Sequence, residues 1–299
     1  MSTPFKTIGL LARRRGTDII DSVVAVEESL RELGLTCCVE AETAALLPAA
    51  ERRVISREAL GQAVDLVVVV GGDGSLLGIG REMANTGVPV VGVNRGGLGF
   101  LAAIAPHEIH TKISDILGGH YEIEDHFLLA AGAVHDGELG PLRTALNDIV
   151  VSPGSRTRMM EFALWVDGEY VYDQRSDGLI VASPTGSTAY ALSAGGPIMH
   201  PGLDAIVIVP MFPHTLTSRP LVVPGDATIK LELLNAQDAY PQASFDSQVH
   251  MRLEIGDSIQ IQKHPAPLKL LYPSGHSFYE SCRSKLDWAS RLGGQKKLS

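Results

Sequence analysis

Residues 67–77 read VVVVGGDGSLL. Val67 to Val70 is an unbroken β-branched run, the composition of a strand covered on both faces. It stops at Gly71-Gly72-Asp73-Gly74, and Ser75 then opens an apolar segment, SLLGIGREMA, that reads as a helix. Inside regular structure a glycine costs roughly 0.5–1 kcal/mol relative to alanine, so three around one carboxylate need a reason. Backbone N–H groups that must approach a ligand supply one, with Asp73 presented at the end of a rigid strand. Strand, glycine turn and helix N-terminus together form an anion site. A tight strand-to-helix turn with Asp73 as the helix cap is the structural alternative.

Outward from this stretch, strand and helix patterns alternate. Phe5–Ala12 reads as a strand, 18–33 as an amphipathic helix stopped by Gly34, and Leu35–Glu40 as a second strand. Residues 41–63 are mostly helical in propensity, and Val88–Val93 is another buried strand. The alternation predicts a doubly wound, mainly parallel sheet, which binds ligands at the carboxyl ends of its strands. Those ends carry GGDG at 71–74 and the loop NRGGLGF at 94–100. After a helix from Pro106 to Leu117 the pattern changes to short strands from about Tyr121 onward. Asp167-Gly168 between two of them is a two-residue hairpin signal. This half is all-β, a sandwich or stacked sheets. A final helix, 277–292, follows the β half and is expected to pack back on the first domain.

Composition narrows the function classes. The chain has 299 residues and a net charge of −9, which argues against a general nucleic-acid or anionic-membrane binder. Nothing resembles a signal peptide, and the apolar stretches fall short of the ~18–20 residues that span a bilayer. Cys37, Cys38 and Cys282 fit no metal spacing, and a reducing, cytoplasmic compartment is expected. His107-Glu108-Ile109-His110 is one residue short of a zinc-protease helix, so no protein metal site is expected. The P-loop pattern and the protein-kinase H-R-D and D-F-G elements are absent.

Two further stretches carry chemistry. Asn147-Asp148 is a polar pair inside ALNDIVV, expensive to bury without partners. It offers an amide donor and acceptor plus two carboxylate acceptors for sugar hydroxyls; a simple Asn-Asp turn is the alternative. The second stretch is 173–201, DQRSDGLIVASPTGSTAYALSAGGPIMHP. Its hydroxyl-rich turn at 183–187, ahead of a short helix at 188–194, suits a phosphate or ribose.

With these elements in place the chain resembles the NAD kinases, particularly bacterial ones. The matching motifs are GGDGSLL at 71–77, NRGGLGFL at 94–101, the Asn-acidic pair at 147–148, DGLIVASPTGSTAYALSAGGP at 177–197 and LTSRPLVVP at 216–224. GGDG alone is shared with phosphofructokinases and with diacylglycerol and sphingosine kinases; the 177–197 block is the specific part. A related GGDG-type lipid or sugar kinase and a non-catalytic NAD-binding sensor remain the alternatives. The resemblance implies transfer of the γ-phosphoryl of ATP to the adenosine ribose 2′-hydroxyl of NAD, with magnesium. It also implies a homo-oligomer, dimer or tetramer. The fold it implies is a Rossmann-like α/β donor-phosphate domain at 1–120 plus 275–299 and a β-rich NAD-binding domain at 121–274.

By the same resemblance Asp73 is the general base, while Gly72 and Gly74 let backbone amides meet the donor phosphates. Asn147 and Asp148 hold NAD's hydroxyls and adenine edge. Asp177, Thr185, Thr188, Ala189, Tyr190 and Ser193 clasp other parts of the dinucleotide. Arg158 and Arg175 supply positive charge near phosphate or nicotinamide, Arg175 implying a preference for NAD over NADH. Gln248 closes the site, within the chain or across a subunit boundary. In one respect the sequence departs from the family, which usually has Asn-Glu where this chain has Asn147-Asp148. The side chain is one methylene shorter and keeps its charge, so weakened NAD binding is expected.

Overall fold

The computed structural model describes residues 4–13, 17–95, 99–154, 159–235 and 240–288. The chain forms two compact units, one of residues 1–124 with 269–299 and the other of residues 125–268.

The first unit holds β1 (Thr7–Ala12), α1 (Thr17–Glu32), β2 (Thr36–Glu40), α2 (Ala41–Ala44), β3 (Arg53–Ile55), α3 (Leu60–Ala63), β4 (Leu66–Gly71), α4 (Asp73–Met83), β5 (Val90–Asn94), α5 (Ile109–Leu117) and most of β6 (Tyr121–His126); strand and helix alternate as the sequence predicts, with β3 added inside the segment that reads as helical. Parallel pairing joins β1 to β2 and β4, and β4 to β5. Every residue of β4 is buried, as its β-branched run requires. Alternation then sorts the side chains. Ile8, Leu10, Val68, Val70, Val91 and Val93 share one core with Ile19, Val23, Val26 and Leu30 of α1 and with Ile109, Ile113 and Ile116 of α5. Gly92, between Val91 and Val93, points the other way. A Cβ there would lie 2.6 Å from Leu76 Cδ1 of α4, so α4 covers the opposite face.

The second unit holds β7 (Leu129–His135), β8 (Glu138–Leu139), β9 (Arg143–Ala145), β10 (Asp148–Ser152), β11 (Met160–Val166), β12 (Glu169–Ser176), β13 (Gly178–Ala182), α6 (Tyr190–Ser193), β14 (Ala205–Met211), β15 (Leu221–Pro224), β16 (Ile229–Asn235), β17 (Gln242–Phe245), β18 (Val249–Arg252) and β19 (Ser258–Lys263). One sheet runs β15-β14-β13-β10-β17-β18 and the other β12-β11-β16-β19-β7-β8. Their inward residues, among them Ile149, Phe162, Val181, Leu231, Phe245 and Ile259, form one core. The first sheet is buried on its other face too, where Val150, Ile180, Val207 and Val209 pack on Ala191 and Met199. Asp167 and Gly168 both take positive φ in the hairpin between β11 and β12.

The chain then returns to the first unit through β20 (Leu268–Pro273) and α7 (Phe278–Lys285). The first sheet has the order β3-β2-β1-β4-β5-β20-β6, so β20 lies inside it. Sequence grouping places Tyr121–His126 and Leu268–Pro273 in the β-rich half, with boundaries at 120/121 and 274/275. The pairing instead moves both strands into the first sheet, because local periodicity carries no information about a distant partner. The ring of Phe278 in α7 lies 6.3 Å from that of Phe100 in the same unit, so the final helix packs back as expected. Residues 289–292 of the predicted helix lie outside the described residues.

Candidate active site

The glycine turn sits where β4 passes into α4. Gly72 occupies the N-cap position, and no side-chain cap bond forms there, so Asp73 is not a cap. Instead its carboxylate reaches across to the segment after β5. Oδ2 accepts the Phe100 N–H at 2.9 Å, while Oδ1 accepts those of Leu101 at 3.2 Å and Ala102 at 3.1 Å. Three of its roughly four lone-pair positions are thereby used, and Oδ2 keeps one acceptor position. Gly99 makes this possible. A Cβ at that position would collide with Asp73 Oδ1 and lie 3.1 Å from Asn94 Nδ2. Asn94 is buried and pairs with Gly71 across β4 and β5.

Gly72 and Gly74 present a different case. Both are exposed, neither has positive φ, and a Cβ on either would meet nothing within 4 Å among the described residues. Neither packing against the described residues nor backbone strain demands glycine at these positions. Tyr272 is buried in the same unit, and its hydroxyl pKa is driven well up, by burial first and then by Glu124 and Asp73.

In the second unit the backbone around Asn147 and Asp148 is held by one carboxylate. Asp246 accepts the N–H groups of Leu146 at 3.0 Å, Asn147 at 2.7 Å and Asp148 at 3.3 Å. From the other side the Ser183 N–H donates to the Asn147 carbonyl at 2.9 Å, and Gly186 lies so close that a Cβ would strike the Asn147 backbone. Asn147 and Asp148 are therefore brought against the 183–188 turn. Asp148 is buried, 3% exposed. Burial, and next the charge of Asp246, push its pKa up to about 7.

The predicted helix at 188–194 is broken in two. A 3₁₀ turn, Thr185–Thr188, precedes α6, and Ala189 between them takes φ −101° and ψ −126°. Thr185 is buried with its Oγ1 2.8 Å from Nδ1 of the buried His126. Thr188 and Ala189 are half-buried, whereas Tyr190 and Ser193 are exposed. Asp177 is exposed just before β13 and donates its backbone N–H to the Met211 carbonyl. Arg175 lies on β12, in the other sheet, with Nε 3.9 Å from Glu161. Gln248 follows the Asp246-Ser247 turn and donates its backbone N–H to the Phe245 carbonyl. Arg158 lies outside the described residues.

Asp246, His126, Asn94 and Gly99 escaped the sequence reading as site residues. An Asp-Ser pair between strands signals only a turn, and the amides that Asp246 holds are 98 to 100 residues away. For Gly99 a signal existed in the NRGGLGF loop, but nothing there pointed to Asp73.

Residues 8–121 match the family model described as ATP-NAD kinase N-terminal domain, and residues 146–272 match the ATP-NAD kinase C-terminal domain. An NAD kinase of Pseudomonas syringae pv. tomato is 49% identical over 290 residues, 97% of this chain and 98% of that protein. The NAD kinase of Azotobacter vinelandii is 50% identical over 97% and 98% of the two chains. Among solved structures, yeast NADH kinase complexed with NADH superposes with a TM-score of 0.87 over 98% of this chain and 91% of that one, at 23% identity, showing the shared fold. An NAD kinase from Archaeoglobus fulgidus in complex with ATP gives 0.73 at 26% identity over 94% and 98%. Half of all positions are thus shared along nearly the whole length, and the two family models fall on the two units, so the chain belongs to the NAD kinase family as an enzyme of that activity.

Proposed function

We propose that Asp73 is the general base that takes the proton from the 2′-hydroxyl of NAD's adenosine ribose as that oxygen attacks the γ-phosphorus of ATP. The new O–P bond forms as the bond to the β,γ-bridging oxygen breaks, giving NADP and ADP, and the proton passes to Asp73. One observation carries the reading: three backbone amides fix the Asp73 carboxylate and leave an acceptor position on Oδ2. A base held in this way needs no reorganisation as the hydroxyl arrives. Gly72 and Gly74 leave the turn open for the donor phosphates to meet backbone amides. Among the described residues no group of three or more His, Cys, Asp or Glu could hold a metal. Magnesium would bind with the donor's phosphates at the glycine turn and would neutralise charge on the nucleotide there.

NAD is held in this reading by Asn147 and Asp148, with Thr185, Thr188, Ala189, Tyr190, Ser193 and Asp177 along the dinucleotide. The buried Asp148 carboxyl suits a ligand that brings its own donors, such as ribose hydroxyls or an adenine amino group. Arg158 and Arg175 supply positive charge, and Gln248 closes the site. Arg175 favours oxidised NAD over NADH; rates with the two acceptors side by side test this. The enzyme works as a homo-oligomer in the cytoplasm, in keeping with its three free cysteines. No helix among the described residues is long and apolar enough to cross a membrane.

Asp73→Asn tests the assignment directly. General-base catalysis is worth typically ~10²–10⁴-fold, so NADP formation should fall by about that much. A loss smaller than about tenfold would remove Asp73 from the base role.

A further inference from the structure

In the first sheet β1 lies between β2 and β4, and the chain leaves β1 and β4 in opposite directions along the sheet. Such a switch point is where open α/β sheets bind ligands, at the carboxyl ends of the strands. Two long helices begin at those ends, α1 after β1 and α4 after β4. Arg95 is placed beside both. Its backbone N–H donates to the Gly71 carbonyl at 3.3 Å, fixing the base of the side chain next to the glycine turn. Its guanidinium extends to the first turn of α1, where Nη2 lies 3.5 Å from Asp18 Oδ2.

This cation is under-used by the chain. Nε of Arg95 is buried and has no hydrogen-bond partner among the described residues. A guanidinium carries five N–H donors in a fork that matches phosphate oxygens two at a time. Its ion pair with Asp18 is long, and the Asp18 side chain is 79% exposed. Exposed pairs of this kind contribute little, so exchanging the carboxylate for a phosphate costs little.

We propose that Arg95 binds the phosphates of the nucleotide donor, with Asp18 as the counter-ion that orients its guanidinium until the donor arrives. The proposal rests on the reading that the donor docks at the glycine turn. Asp18 would compete with the donor, and Arg95 would act on donor affinity rather than on NAD.

Steady-state kinetics on the full chain test this with Arg95→Gln, Arg95→Lys, Asp18→Asn and, as a control for the donor site, Gly72→Val. In Arg95→Gln the KM for ATP should rise about tenfold or more, as expected for losing a charge-assisted bidentate contact. The KM for NAD should stay within about twofold, a split that general structural damage would not give. Arg95→Lys should recover part of the affinity, because it returns the charge without the fork, and Asp18→Asn should leave the KM for ATP the same or lower. An unchanged ATP KM in Arg95→Gln, alongside a raised one in Gly72→Val, would overturn the Arg95 proposal alone. If both variants leave it unchanged, the donor-site reading fails and the proposal with it.

Discussion

Asp246 accepts the backbone N–H of Asn147 at 2.7 Å, across 99 residues of sequence, and holds the neighbouring amides of Leu146 and Asp148 as well. The carboxylate is itself buried and sits at φ 51° in the turn between β17 and β18. The polar pair proposed to hold NAD is therefore presented by a residue from a different hairpin. Replacing Asp246 by alanine strands buried N–H groups, each costing about 1–3 kcal/mol. We expect Asp246→Ala to lower stability by about 3 kcal/mol or more in denaturant titrations. Asp246→Asn tolerates the positive φ and should retain more of the fold while raising the KM for NAD and sparing that for ATP.

Gly99 makes room for Asp73. An alanine there would force the carboxylate off its three amides, because the added Cβ occupies the place of Oδ1. Gly99→Ala is expected to lower kcat by about a hundredfold, the low end of a general-base contribution. Activity close to that of the parent enzyme would show that the amide-bound pose is not the working one.

Gly72→Ala offers the opposite test. Its Cβ meets nothing within 4 Å among the described residues, so stability should move by less than about 0.5 kcal/mol. If donor phosphates approach the turn closely, the KM for ATP rises all the same. Thermal melts beside ATP titrations separate the two effects.

The raised pKa of Asp148 gives a pH dependence of definite sign. Between about 4 and about 7 the folded chain keeps a proton on this residue that the unfolded chain has lost. Raising the pH through that window therefore disfavours the folded state, by roughly 4 kcal/mol at most for this group, and the effect is complete above pH 7. Asp148→Asn cannot ionise. It should be more stable than the parent at pH 8 and lose this component of the pH slope, as melting curves at pH 5 and 8 would reveal. Its KM for NAD should rise nonetheless.

Where a local pattern has one physical meaning, the sequence was legible. Val67–Val70 followed by Gly71-Gly72-Asp73-Gly74 reads as a buried strand ending in a glycine turn, and Ile19, Val23, Val26 and Leu30 mark the buried stripe of α1. The three residues of β3, flanked by Arg52 and Ser56, carry no period, and the segment reads as helical. The break at Ala189 was hidden because Thr188–Ala194 has good helix composition; the close fit of Gly186 against Asn147 belongs to tertiary structure. Asp73 was recognised as a presented carboxylate, but not the amides of Phe100, Leu101 and Ala102 that fix it. Residue type shows what a side chain can offer, whereas its partners depend on pairings the local sequence does not encode.

The place of β20 bears on the order in which the molecule can assemble. This strand enters the first sheet between β5 and β6, yet it is made only after residues 125–268 have been added. On the ribosome β6 is made well before its sheet partner β20, with the second unit synthesised in between. The first sheet therefore closes late, through contacts of long sequence separation, which are the slow ones to form. Until then the edges of β5 and β6 are open to wrong partners. The glycine turn at 71–74, where Asp73 is proposed to act, follows a strand of a sheet whose completion depends on residues 268–273.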